Sequence, residues 1–191
     1  MFTDNQQVDE DQRAITECQM GKKESYRLLV DKYKSRAYYA ALLYTGNSEE
    51  ALDISQEAFF RAYKSIKSFE QGKNFYSWLY RIIRNLCINH YHRIKKRSVV
   101  FSDVEERKGS ELIIPAVSRP DEIFEEHEMR EVLWQALNNL PQKDREILIL
   151  KEYQELSYKE ISDALEIPVG SVMSRLFYAR QKLAKSLEEY R

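Results

Sequence analysis

Very little in this chain can break a helix. Five glycines and four prolines are spread through 191 residues. Between them run stretches rich in Ala, Leu, Glu, Lys, Gln and Arg, the residues that lose least on entering a helix. Such a sequence is confined to an all-α fold joined by short connections. Its 43% apolar content supplies a core for one ordinary domain or for two small helical ones.

The few breakers divide the chain. Residues 10 to 45 read as two helices parted at Gly21. The second carries Tyr26, Leu29, Val30, Tyr33, Ala37, Ala40, Ala41 and Tyr44 at helical spacing, with Gly46 as its C-cap. Ser48, followed by Glu49 and Glu50, is expected to cap the next helix, which reaches about Ser68. There the stripe of Leu52, Phe59, Ala62 and Ile66 is expected to face a core, leaving Asp53, Gln56, Glu57, Phe60 and Lys64 outside. A turn at Gln71 and Gly72 precedes a helix from about Phe75.

From Ser98 to Pro120 the helical period is lost, and Pro115 and Pro120 forbid a continuous helix. This stretch reads as an interdomain linker whose apolar run from Leu112 to Val117 docks on a partner. The boundaries expected are 1–95 for a first domain, 96–120 for the linker and 121–191 for a second domain. Ile123, Phe124, Val132, Leu133, Leu137 and Leu140 are expected on the buried side of the second domain's first helix. Pro141 then suits the first turn of a helix through Leu150.

Formal net charge is only −1, yet the charges are segregated. No acid falls between Glu70 and Asp103, where Lys73, Arg81, Arg84, Arg93, Lys95, Lys96 and Arg97 alternate with Phe75, Tyr76, Trp78, Tyr80 and Tyr91. Cations neutralise phosphates and release counterions, and aromatic faces stack unpaired bases for roughly 1–3 kcal/mol each. The combination points to a single strand more than to a duplex. Conversely, residues 101 to 131 hold ten acids against four bases. That acidic segment is expected to fold back over the basic surfaces and weaken DNA binding by the free chain.

A second nucleic-acid pattern lies near the C-terminus. Ser157 and Glu160 have capping-box spacing at the head of a helix carrying Ile161, Ala164 and Leu165. After a turn at Glu166 and Ile167, Pro168 opens a helix with the stripe Val172, Leu176, Ala179, Leu183 and Leu187. Ser171, Arg175, Tyr178, Lys182 and Lys185 lie on its other side. A short helix followed within a few residues by a basic one is the pattern of a helix-turn-helix. No acid appears between Glu166 and Glu188 to repel phosphate.

Other chemistries find little support. Cys18 and Cys87 are too few for a disulfide framework and suit a reducing, cytoplasmic setting. No apolar run reaches eighteen residues, so no direct membrane insertion is expected. Cys87, His90 and His92 diverge around a helix and make a poor metal set. No glycine-rich phosphate loop, nucleophile elbow or zinc-protease motif is present, so neither cofactor nor catalysis is expected.

Several segments resemble the bacterial RNA polymerase sigma factors of the extracytoplasmic-function (ECF) group. Asp53-Ile-Ser-Gln56-Glu57-Ala-Phe-Phe-Arg61-Ala-Tyr is similar to that family's polymerase-binding helix. Phe75-Tyr-Ser-Trp78-Leu-Tyr-Arg81-Ile-Ile-Arg84-Asn85 is similar to its promoter-melting helix. Leu140-Pro-Gln-Lys-Asp-Arg-Glu146 and Leu156-Ser-Tyr-Lys-Glu160-Ile resemble the start of its second domain, and Ile167-Pro-Val-Gly-Ser171-Val-Met-Ser-Arg175-Leu resembles its recognition helix. These segments stand in family order and spacing.

The resemblance implies a two-domain initiation factor that binds core RNA polymerase and directs it to promoters. Leu52, Asp53, Gln56 and Glu57 would contact the coiled coil of the largest polymerase subunit, and the second domain would meet the flap of the second-largest. Gly72 together with Phe69, Lys73, Asn74, Phe75 and Asn85 would read the non-template strand of the −10 element, while Arg81, Arg84, Arg93 and Lys95 hold phosphates. Ser171, Ser174, Arg175 and Phe177 would enter the major groove of the −35 element, with Lys151, Tyr158 and Lys159 on flanking phosphates. Met173 and Tyr178 stand where the family more often has a basic residue. An anti-sigma factor, often membrane-tethered, would hold the protein inactive. A stand-alone helix-turn-helix regulator and a single-strand-binding protein are the rival classes, and each leaves one of the two nucleic-acid patterns unused.

Overall fold

The computed structural model describes the backbone over residues 4–98 and 132–188, and side chains over 10–94 and 132–188. The described residues form eight α-helices and no strand, and the chain divides into two compact units. The linker expected over 96–120, with its acidic run and its apolar segment Leu112 to Val117, lies largely outside the described residues. So do Ile123 and Phe124.

The first unit contains α1 (Asp4–Gln19), α2 (Glu24–Thr45), α3 (Ser48–Ser65) and α4 (Phe75–Ser98). Gly21 separates α1 from α2 at φ +95°, a left-handed conformation that costs glycine little. Gly46 ends α2 at φ +59°, and its N–H returns to the Leu42 carbonyl. The cap of α3 differs from expectation by one residue. Asn47, not Ser48, has the extended backbone, and its Oδ1 accepts from Glu49 N–H at 2.9 Å and Glu50 N–H at 3.0 Å. A short 3₁₀ turn, Ile66–Ser68, finishes the helix where the sequence places its end.

Small residues set how closely these helices approach. Ala37, Ala40 and Ala41 of α2 and Ala51, Ala58 and Ala62 of α3 are all buried. Larger groups from α4 fill the remaining space: Phe75, Tyr76, Leu79, Tyr80 and Ile83 are each 1% exposed or less. Polar atoms carried inside find partners. Tyr26 Oη donates to the Phe59 carbonyl at 2.7 Å, and burial pushes that phenol well above the usual tyrosine range. Asp11 of α1, also buried, accepts from Tyr33 Oη and from Lys32 Nζ at 2.7 Å. Cys18 and Cys87 are free and buried, and burial raises the Cys18 pKa, which keeps it a thiol.

In the second unit, α5 is helical over residues 132–138 and α6 spans Gln142–Leu148. Leu137 and Leu140 are buried as expected, but Leu133 is exposed and Ala136 takes the inward position. Pro141 stands just outside α6 as its N-cap rather than in its first turn. The helix does not close at Leu150. It widens into a π turn over Ile149–Tyr153, after which Leu156 N–H bonds the Leu150 carbonyl at 3.0 Å. The last helices are α7 (Tyr158–Leu165) and α8 (Val169–Glu188).

Asn47→Ala is expected to destabilise the first unit by about 1 kcal/mol, because two helix amides lose their acceptor. Ser48→Ala should cost distinctly less. Urea unfolding followed by circular dichroism compares them, and a larger loss at Ser48 would move the cap back to that residue.

Candidate nucleic-acid and polymerase interfaces

The outer face of α3 carries a mixed surface. Asp53, Gln56 and Phe60 are exposed, and Leu52 joins them at 49% exposure. That corrects its expected place in the core stripe, where Ile54 and Ser55 stand instead. Leu52 is one turn ahead of the inward Ser55 but points off that arc, so an apolar identity alone misassigned it. Glu57 is half-buried and bound to Arg61 Nε at 2.7 Å.

A groove of about 400 Å³ separates α3 from α4. Glu50, Asp53 and Glu57 line the groove together with the cations Arg61 and Arg93 and the imidazole of His90. His90 Nε2 lies 3.2 Å from Glu50 Oε2, and an Arg93 guanidinium nitrogen lies 3.2 Å from His90 Nδ1. Residues assigned separately to polymerase and to phosphate thus border one groove.

The aromatic residues of α4 divide in a way that composition does not reveal. Phe75, Tyr76 and Tyr80 are core, which corrects the expectation of stacking faces there. Phe69 is buried too, in edge contact with Trp78 at 5.2 Å and near Phe75 at 6.1 Å between ring centroids. Phe69 and Phe75 therefore form the apolar floor under the loop between α3 and α4 and show no ring face to solvent. Trp78 is half-buried, and Tyr91 is exposed. Along the outside of α4, Trp78, Arg81 and Asn85 follow at helical spacing. The side chain of Lys95 lies outside the described residues.

The loop itself is held from an unexpected direction. Gly72 adopts φ +81°, and its N–H donates to Gln12 Oε1 at 3.0 Å. Gln12 Nε2 in turn donates to the Lys73 carbonyl at 2.8 Å. Seven residues further along α1, Gln19 Nε2 donates to the carbonyls of Ile66 at 2.9 Å and Phe69 at 3.0 Å. Gln71 Nε2 closes the set on Gln19 Oε1 at 2.8 Å and Thr16 Oγ1 at 3.2 Å. Asn74 Oδ1 accepts from Ser77 N–H at 2.9 Å, so it serves as a cap for α4. Lys73 is exposed and pairs with Glu70 at 3.0 Å. Sequence reading missed Gln12, Thr16 and Gln19; their spacing on one side of α1 was the available signal.

In the second unit, both halves of the Ser157–Glu160 capping box are present. Glu166 turns at φ +55°, and Ser162 Oγ donates to the Ile167 carbonyl at 2.6 Å, fixing the corner between α7 and α8. Val172, Leu176 and Ala179 are buried; Leu183 and Leu187 are only half-buried. Arg175, Ser174 and Phe177 are exposed and Ser171 is half-buried. Ser174 Oγ is turned back onto the carbonyls of Gly170 and Ser171. Exposed Val169, Met173 and Tyr178 add apolar surface to α8.

Several cations are already committed. Lys182 Nζ pairs with Asp144 of α6, and Arg180 makes a two-nitrogen contact with Glu152 at 2.6 and 3.2 Å. Lys151 Nζ donates to the Leu156 carbonyl at 3.1 Å and sits 5.3 Å from the Tyr158 ring centroid. Tyr158 and Lys159 are exposed at the start of α7.

The molecule is thus a two-unit helical protein with a basic loop and helix in one unit and a helix-turn-helix in the other. Residues 29–97 match the family model for sigma-70 region 2, and residues 130–183 match that for sigma-70 region 4. The chain is 34% identical over 181 residues to the ECF RNA polymerase sigma factor SigW of Bacillus subtilis, covering 93% of this chain and 96% of that protein. It is 32% identical over 184 residues to the RNA polymerase sigma-H factor of Pseudomonas aeruginosa, covering 94% and 95%. In fold it is similar to CnrH, solved in complex with the cytosolic domain of CnrY, at TM-score 0.68 and 21% identity over 95% of this chain and 99% of that one. It is also similar to the sigma factor RpoE of Bartonella quintana, solved with the anti-sigma factor NepR, at TM-score 0.66 and 23% identity over 88% and 99%. The chain belongs to the sigma-70 family of RNA polymerase sigma factors, in its ECF group. Members of that family are transcription initiation factors and not enzymes: they bring core RNA polymerase to promoters through −10 and −35 elements and help open the DNA. No described helix is long and apolar enough to cross a membrane.

Phe75→Ala should destabilise the free protein by about 3–5 kcal/mol in urea unfolding, as for loss of a fully buried ring. Unchanged stability would return Phe75 to the DNA-facing set.

Proposed function

We propose that in this sigma factor Leu52, Asp53, Gln56 and Glu57 of α3 form the contact with the coiled coil of the largest polymerase subunit. An exposed leucine beside acid and amide groups suits a basic partner helix with an apolar ridge. Lys73, Asn74, Asn85, Arg81, Arg84 and Arg93 engage the non-template strand of the −10 element. Lys95 extends that row on sequence alone, and Phe69 and Phe75 support the loop from beneath. Ser171, Ser174, Arg175 and Phe177 meet the major groove at −35, with Lys151, Tyr158 and Lys159 near its phosphates. The second domain also meets the flap of the second-largest subunit. The domain limits that go with this reading are 1–95 and 121–191, with 96–120 as the connecting segment.

The observation that carries the proposal is one chain with two separate cation-bearing segments, each free of acids along its own sequence. One follows a turned loop and the other lies on a helix-turn-helix. A duplex regulator has no use for the first surface, nor a single-strand binder for the second. Core polymerase and chromosome place the working protein in the cytoplasm. Exposed Leu52 and Phe60 on α3, and Val169, Met173 and Phe177 on α8, leave apolar surface for an inhibitor to cover when polymerase is absent. We assign that cover to an anti-sigma factor, through which the protein can be held at a membrane.

Run-off transcription with core polymerase and a pool of bacterial promoter fragments tests the proposal. Transcript starts that require this protein and share spaced upstream elements are expected. Asp53→Arg combined with Gln56→Ala should weaken core polymerase binding by roughly tenfold or more, as a reversed charge in an interface does. Unchanged affinity would remove α3 from the polymerase contact.

A further inference from the structure

The hydrogen bonds between α1 and the loop after α3 point beyond packing. The region 2 family model begins at residue 29, so α1 lies outside the matched segment. Even so, Gln12 and Gln19 bond backbone groups of Ile66, Phe69, Gly72 and Lys73. Four contacts bridge 47 to 61 residues of sequence. Gln12 presents its whole amide to the loop, with the oxygen on one peptide N–H and the nitrogen on the next residue's carbonyl.

This arrangement fixes one local geometry. A Gly72 at φ +81° has no side chain to restrain it, and a Cβ built there would meet nothing within 4 Å. The loop is therefore not shaped by crowding at its tip. Its backbone direction is set by Asn74 capping α4 on one side and by the α1 amides on the other. Lys73 projects from the peptide that Gln12 holds. A reader of an unpaired base gains affinity when its groups are already oriented, because ordering is then not deducted from binding.

We propose that Gln12 and Gln19 are positioning residues for −10 recognition, acting from a helix outside the matched region: Gln12 holds the Gly72–Lys73 segment in its reading conformation, and Gln19 holds the chain that leads into it through the Ile66 and Phe69 carbonyls and the Gln71 side chain. The inference rests on the reading of that loop as the −10 contact. Loss of either amide frees the loop backbone and lowers selectivity for the −10 strand while leaving polymerase contact intact.

The test uses the full chain assembled with core polymerase. Gln12→Met and Gln19→Met keep side-chain length and remove the hydrogen bonds. The probe is a single-stranded oligonucleotide carrying the non-template −10 segment of a promoter recovered by transcript-start mapping, compared with a scrambled strand of the same composition. Each variant is expected to reduce the affinity ratio of the two strands by roughly three- to tenfold, the worth of one or two net hydrogen bonds. Core polymerase affinity should hold within about twofold, which loss of folding would not allow. In the free protein, the Gly72 amide should exchange with solvent faster in Gln12→Met and remain protected in Gln12→Glu, which keeps an acceptor oxygen. Lys73→Ala separates the two levels. If Lys73→Ala lowers the ratio and the glutamine variants do not, the positioning role is overturned. If Lys73→Ala also leaves the ratio intact, the loop is not the −10 reader and the proposal falls with it.

Discussion

The first unit depends on burying one aromatic face of α4. Phe75, Tyr76 and Tyr80 are nearly inaccessible, and each such ring removes roughly 150–250 Å² from water. Burial on that scale fixes the rotation of α4 about its axis. It also imposes a polar requirement, because a phenol taken inside must find a partner. Tyr76 Oη donates to the Arg36 carbonyl at 3.3 Å, and the Arg36 guanidinium lies 3.8 Å from the Tyr76 ring centroid. Tyr33 reaches Asp11 across from α2 to α1. With the inward face settled, Trp78, Arg81 and Asn85 have only the outside left to occupy.

The same division of labour explains why charge counting overstates a nucleic-acid surface. In the second unit Lys182 and Arg180 tie α8 to Asp144 and Glu152, and Lys151 helps close the turn before α7. These cations stabilise the frame that presents the remaining ones. Arg175 and Lys185 carry no ion pair among the described residues. Exposed pairs of this kind contribute little stability individually, so their main effect is on which charges stay available to phosphate.

Local signals were read well from sequence because they are local. Gly21, Gly46, the Ser157–Glu160 box and the Val172, Leu176, Ala179 stripe each act within a turn or two of helix. Failures occurred where one residue type serves two environments. Leu52 and Leu133 are apolar yet exposed; Phe75 and Tyr76 stand among cations yet are buried. The cap at Asn47 in place of Ser48 is a smaller case, since adjacent residues of equal capping propensity differ only in backbone angle.

What the sequence by itself determined is the helical class, the order of the helices, several of their caps, and the family through five segments in register. The helical properties follow from periodicity and spacing along the chain, and the family from the resemblance of those segments. Only the tertiary structure decided which aromatics are core, which cations are already paired, and that Gln12 and Gln19 of α1 grip a loop about fifty to sixty residues away. The reason is physical: burial and hydrogen bonding depend on what approaches from elsewhere in the chain, and a residue's neighbours in sequence carry no record of that approach.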